Sequence, residues 1–105
     1  MLVKDKQIAE ELKRRLSPIV KLVDFRVFGS RAKGDADEYS DLDIFLEVEL
    51  LNKALKDRIL EIVWEVGFEN NIKISALIFT RSEIEDSPLR SSPIVRSVAT
   101  EGIRI

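Results

Sequence analysis

The chain has 105 residues, 45% apolar and 34% charged, with a formal net charge of −2. That is room for one domain with one core, and the slight acidic excess excludes a nucleic-acid binder held by bulk positive charge. With no cysteine and no histidine, disulfides, Cys/His zinc centres, thiol nucleophiles and imidazole bases are excluded as well, so any catalysis rests on carboxylates, Lys, Arg, Ser or Tyr39.

Residues 4–16 read as a helix, with Ile8, Leu12 and Leu16 recurring every four positions and charged residues elsewhere. Ser17-Pro18 ends it. Residues 22–28 alternate as a strand, Val23, Phe25 and Val27 on one face and Leu22, Asp24, Arg26 and Phe28 on the other. Gly29-Ser30 breaks that strand, and residues 31–40 form a polar connection with room for a helical turn after Ser30. A second strand, DLDIFLEV, sets Leu42, Ile44, Leu46 and Val48 against Asp41, Asp43, Phe45 and Glu47.

A long helix follows over residues 50–68, its apolar stripe made by Leu51, Leu55, Ile59, Ile62, Val63 and Val66. Trp64 lies beside that stripe, as core or interface. IKISALIFT, residues 72–80, is a third strand, and a short helix starts near Ser82. Ser92, Pro93 and Gly102 bracket a last helix, and the terminal IRI is either an edge strand or an interface segment. The order α-β-β-α-β-α-α predicts a single α/β (α+β) domain over residues 1–105: a small mixed sheet with helices packed mainly on one face. No apolar run reaches spanning length and the N-terminus is too charged for a signal peptide, so a cytoplasmic protein without membrane contact is expected.

Asp41 and Asp43 stand at i and i+2 of a strand, so their carboxylates leave one face within about 7 Å of each other. Two such carboxylates suit Mg²⁺, a hard cation that takes oxygen ligands and completes its shell from substrate phosphates. Gly29-Ser30 offers the complementary half: a glycine that lets backbone approach a ligand, and a hydroxyl donor. Arg31 and Lys33 flank that loop with positive charge. Tyr39 either stacks on a base or packs on its own chain.

Gly29-Ser30, ten residues, then Asp41-Leu42-Asp43, with Arg31, Gly34 and Ser40 between, resembles the signature of the DNA polymerase β-type nucleotidyltransferase superfamily. The leading helix, the long helix and the terminal SPIVRSVATEGIRI extend the resemblance to its minimal nucleotidyltransferase branch. It implies that fold, catalytic Asp41 and Asp43 binding Mg²⁺, and Gly29, Ser30, Arg31 and Ser40 around the nucleotide. It implies transfer of AMP from ATP to an acceptor hydroxyl, and a HEPN-domain toxin as the partner of an antitoxin. Stable nucleic-acid binding is not expected, and a homo-oligomer is compatible.

Relatives of this kind place a third carboxylate on the next strand, where Lys73 stands here. Lys73 would pair with an aspartate or contact phosphate as a point charge. Glu69 and Glu47 are the other carboxylates in range, read as surface residues. A second reading therefore keeps the fold without the chemistry, a module that neutralises its partner by contact. A third is a subunit acting on a small molecule or RNA held by a separate chain.

Overall fold

The computed structural model describes residues 1–34 and 39–105; part of the expected 31–40 connection lies outside them. In chain order the elements are α1 (Val3–Leu16), β1 (Leu22–Phe28), α2 (Gly29–Lys33), β2 (Leu42–Val48), α3 (Lys53–Glu69), β3 (Ile74–Thr80), α4 (Arg81–Asp86), a 3₁₀ turn (Pro88–Ser91), α5 (Pro93–Glu101) and β4 (Ile103–Arg104). The sheet order is β3-β2-β1-β4. β1 runs antiparallel to β2 and β4, and β2 runs parallel to β3 through the α3 crossover. A parallel pair needs such a connection, whereas antiparallel neighbours can be joined by a short one.

One face of the sheet carries the core. Phe25, Val27, Leu42, Ile44, Leu46 and Val48 meet Ile8, Leu12 and Leu16 of α1 and Ile59, Ile62, Val63 and Val66 of α3, all buried. Each of these helices carries an apolar stripe, and burying it on the sheet removes both apolar surfaces from water at roughly 25 cal/mol per Å². Over the other face, the C-terminal segment gives partial cover: the Arg26 guanidinium donates to the Ala99 carbonyl at 3.3 Å.

Several boundaries differ from the sequence reading for local physical reasons. β1 is bulged between Leu22 and Asp24. The bulge turns Leu22 toward the core and leaves Val23 exposed, reversing the expected facing of those two residues. α3 starts at Lys53, because the Asn52 side chain accepts the Leu55 N–H and caps it. β3 starts at Ile74, two residues late. Thr80 caps α4 in a reciprocal box with Glu83. α5 has the expected Ser92 cap and Pro93, and the tail is an edge strand on β1. Trp64 is neither core nor covered; it is 66% exposed. Among the described residues no helix is long and apolar enough to cross a membrane.

Candidate active site

β1 ends where β2 begins, and the antiparallel register sets Phe28 opposite Asp43. Gly29 opens α2 directly after Phe28, so the Gly-Ser turn lies beside the two aspartates. Gly29 has φ +75, and a Cβ there would sit 2.3 Å from Asp43 Oδ2. Glycine is needed twice over, for a left-handed backbone and for contact with the carboxylate. Sequence reasoning put a glycine near a phosphate loop; the structure puts it against Asp43.

Asp41 and Asp43 are half-buried. Burial pushes the Asp43 carboxyl above the usual range, and the neighbouring Asp41 charge pushes it further the same way. An aspartate whose proton affinity is raised by burial and by a neighbouring carboxylate is a site that a divalent cation would relieve. The oxygen-only donor set fits Mg²⁺, which Asp41 and Asp43 would hold if it binds here. Among the described residues no cluster of three or more His, Cys, Asp or Glu could hold a metal.

The β2–β3 register shows which residues of the third strand flank the aspartates. Ser75 lies opposite Asp43, and Lys73, just before β3, brings Nζ to 4.0 Å from Asp41 Oδ2. Lys73 is 80% exposed along its side chain, so it can swing away from Asp41. Glu69 is turned to Arg15, whose guanidinium donates to it at 2.6 Å. Glu47 is buried rather than a surface residue. Its carboxyl is pushed up first by that burial, then by Asp24 and Glu85.

Arg31 is buried and turned inward. Its Nη1 donates to Asp5 Oδ1 of α1 at 2.9 Å, and its Nε donates to the Ser40 carbonyl at 2.7 Å. Ser40 directly precedes Asp41, so this guanidinium ties α1 and α2 to the start of the aspartate pair. Nothing in the spacing of the motif signals Asp5, which is 26 residues away in the chain. Ser30 is half-buried at the head of α2, and Lys33 points outward to Glu101 at 3.0 Å.

Gly29→Ala is expected to cost about 1–2 kcal/mol from the backbone conformation alone. By displacing Asp43 it is expected to lower any transfer activity roughly 100-fold. Gly34 has φ +81 but open space around it, so Gly34→Ala carries only the conformational cost and keeps activity. Thermal unfolding and single-turnover rates of both variants separate the two contributions; equal activity losses would remove the case for the Gly29–Asp43 contact.

The sequence profile of the family described as "Nucleotidyltransferase domain" matches residues 5–104. The protein named "Putative protein adenylyltransferase MJ0141", from Methanocaldococcus jannaschii, is 35% identical over 79 residues, 72% of this chain and 80% of that protein. Among solved structures, a toxin–antitoxin with AMP-PNP superposes with a TM-score of 0.62 at 20% identity, over 94% of this chain and 70% of that one. A structure described as that of a "putative minimal nucleotidyltransferase" has a TM-score of 0.60 at 22% identity, over 97% and 89%. At these identities the structural likenesses speak for the fold, and the profile match speaks for the family. With the sheet, the Gly-Ser turn and the paired aspartates in place, this chain belongs to the nucleotidyltransferase domain family.

Proposed function

We propose that the protein is an Mg²⁺-dependent adenylyltransferase that moves AMP from ATP to a hydroxyl on a partner protein, most simply a tyrosine of a HEPN-domain toxin to which it is the antitoxin. The observation that carries this reading is the contact of Gly29 with the Asp43 carboxylate, which packs a phosphate-approach turn against the metal-binding pair. The adenylyltransferase name of the archaeal relative and the toxin–antitoxin neighbours support the substrate and partner.

In this reading Asp41 and Asp43 would hold Mg²⁺. When bound, the ion supplies Lewis-acid stabilisation of the charge on the phosphoryl oxygens. Gly29 and Ser30 present backbone N–H groups and a hydroxyl to the phosphates. Arg31 acts from behind, holding the Ser40 carbonyl and hence the entry to Asp41. The acceptor oxygen bonds to the α-phosphorus, the bond from that phosphorus to the bridging oxygen breaks, and pyrophosphate leaves with its electron pair. The hydroxyl proton passes to water or to a carboxylate of the pair, since the register offers Ser75 rather than a third acid.

One observation favours the alternative of a binding module. Lys73 Nζ stands 4.0 Å from Asp41, and a lysine there competes with a cation for the carboxylate. Transfer of label from α-³²P-ATP with Mg²⁺ decides between the two readings, with wild type run beside Asp41→Asn on the protein encoded next door. Label that vanishes in the variant establishes the enzyme. A complex that forms without label in either establishes the binder. In the enzyme reading, Lys73→Ala is expected to tighten Mg²⁺ binding several-fold, read as a lower Mg²⁺ midpoint for thermal stabilisation. An unchanged midpoint removes Lys73 from the metal's surroundings.

A further inference from the structure

Three cations lie near the proposed site, and the fold commits two of them elsewhere. Arg31 is enclosed against Asp5 and the Ser40 carbonyl. Lys33 reaches out to Glu101 at 3.0 Å. Lys73 is the third, and among the described residues it is the only cation within ion-pairing distance of either aspartate. A triphosphate brings several negative charges to a place that already holds two carboxylates. A cation supplied by the chain therefore favours its binding, and charge-assisted contacts to phosphate are among the strongest available.

Lys73 has a fixed main chain and a loose side chain. Its carbonyl accepts the Leu42 N–H at 2.9 Å. That bond carries the parallel β2–β3 register one residue before β3, which sets Lys73 beside Asp41. The ammonium is not held in the same way. Nζ stands 4.0 Å from Asp41 Oδ2, with the lysine side chain exposed. That separation is too long for a hydrogen bond, and an ion pair so open to solvent contributes little to the fold. β3 is also the edge of the sheet, so no further strand confines the lysine stem on its outer side.

We propose that Lys73 is a nucleotide-binding residue that exchanges partners: it screens Asp41 before nucleotide binds and turns to the phosphates afterwards. The proposal rests on the adenylyltransferase reading and names a residue that would select the triphosphate. The exchange follows from charge. Without nucleotide, the ammonium offsets the repulsion between Asp41 and Asp43. Lys73 would yield Asp41 to a divalent cation, whose double charge both outbids the ammonium and repels it. The phosphates that arrive with the cation are then the anions left for Lys73 to meet. Lysine suits such a change better than arginine, being a compact point charge on a flexible stem with no fixed fork to align. Competition for Asp41 and contact with phosphate are then two positions of one side chain.

Binding tests this without any transfer step. The full chain, Lys73→Ala and Lys73→Arg are titrated by calorimetry with α,β-methylene-ATP and with AMP at saturating Mg²⁺, and with Mg²⁺ alone by thermal stabilisation. Lys73→Ala should weaken the triphosphate analogue about 10-fold or more, the loss expected of a charge-assisted contact. It should weaken AMP less, because the effect follows phosphate charge. The same variant should bind Mg²⁺ alone more tightly, so the two effects have opposite signs. Lys73→Arg should keep most of the analogue affinity, with the fold of both variants retained by circular dichroism. An analogue affinity unchanged in Lys73→Ala overturns the proposal, as do equal losses for the analogue and AMP, or an unchanged Mg²⁺ affinity. A variant that binds analogue and Mg²⁺ both more tightly overturns it too, and makes Lys73 a competitor alone. None of these results touches the adenylyltransferase reading while the wild type still labels its partner. A wild type that binds no analogue overturns both.

Discussion

Asp43→Asn is expected to abolish nucleotidyl transfer, by about 1000-fold or more, while making the metal-free protein more stable. The first effect follows from removing one of two anionic ligands in a site whose chemistry requires several kcal/mol of charge stabilisation. The second follows from the position of Asp43. Its carboxyl is raised above 3.8, by burial and then by Asp41, so the native state holds the proton more tightly than the unfolded chain does. Between the ordinary carboxylate value and the raised one, the native state binds more protons, and stability therefore falls as pH rises through that window. At neutral pH the ionised group is a net cost to the fold, and asparagine removes it.

Thermal unfolding with chelator present should show Asp43→Asn melting a few degrees above wild type at pH 7, on the order of the shift that a modest gain produces in a 100-residue domain. The difference should shrink as pH falls through the raised value and be gone below about 4, where the unfolded wild type is protonated too. Mg²⁺ should raise the wild-type midpoint, because it binds the native state alone, and should leave the variant unmoved. A variant less stable than wild type at neutral pH would mean that Asp43 makes a structural contact outweighing its repulsion from Asp41. This opposition of stability and chemistry is what a preformed anionic site predicts.

The sequence announced the sheet and its helices because each element has one buried face, and a single buried face leaves a period. Ile8-Leu12-Leu16 and Leu42-Ile44-Leu46-Val48 are such cases. Where burial is not one-sided the reading slipped. Leu22 and Val23 exchange faces because a bulge inserts one residue, which alternation alone does not reveal. Trp64 sits next to the stripe, where core and interface are both open, and its 66% exposure excludes only the core. The motif residues are legible as a spacing, but their mutual contacts are not. The Gly29 approach to Asp43 and the turn of Arg31 away from the loop surface toward Asp5 depend on packing between elements that no local pattern encodes. Glu47 likewise stands at an alternating polar position of β2 and is nonetheless buried.

Arg31→Met is expected to cost more stability than any other single change around the site. Asp5 is 2% exposed and Arg31 8%, and their ion pair at 2.9 Å is enclosed. Removing one member of a buried pair leaves the other charge without compensation, a loss of about 3–5 kcal/mol. Against a total of about 5–15 kcal/mol for a small domain, that lowers the thermal midpoint by about 15 °C or more. The Asp5→Leu, Arg31→Met double variant removes both charges and should recover most of the loss, because a buried pair is often no better than an apolar one of similar volume. Activity should not return with stability. The guanidinium also holds the Ser40 carbonyl at 2.7 Å, and no methionine replaces that bond one residue before Asp41. A double variant that is stable yet slow, with kcat reduced more than KM is raised, marks Arg31 as the residue that positions the aspartate pair. A double variant restored in both respects confines Arg31 to the fold, and a single variant within about 1 kcal/mol of wild type would show that the enclosed pair contributes little to either.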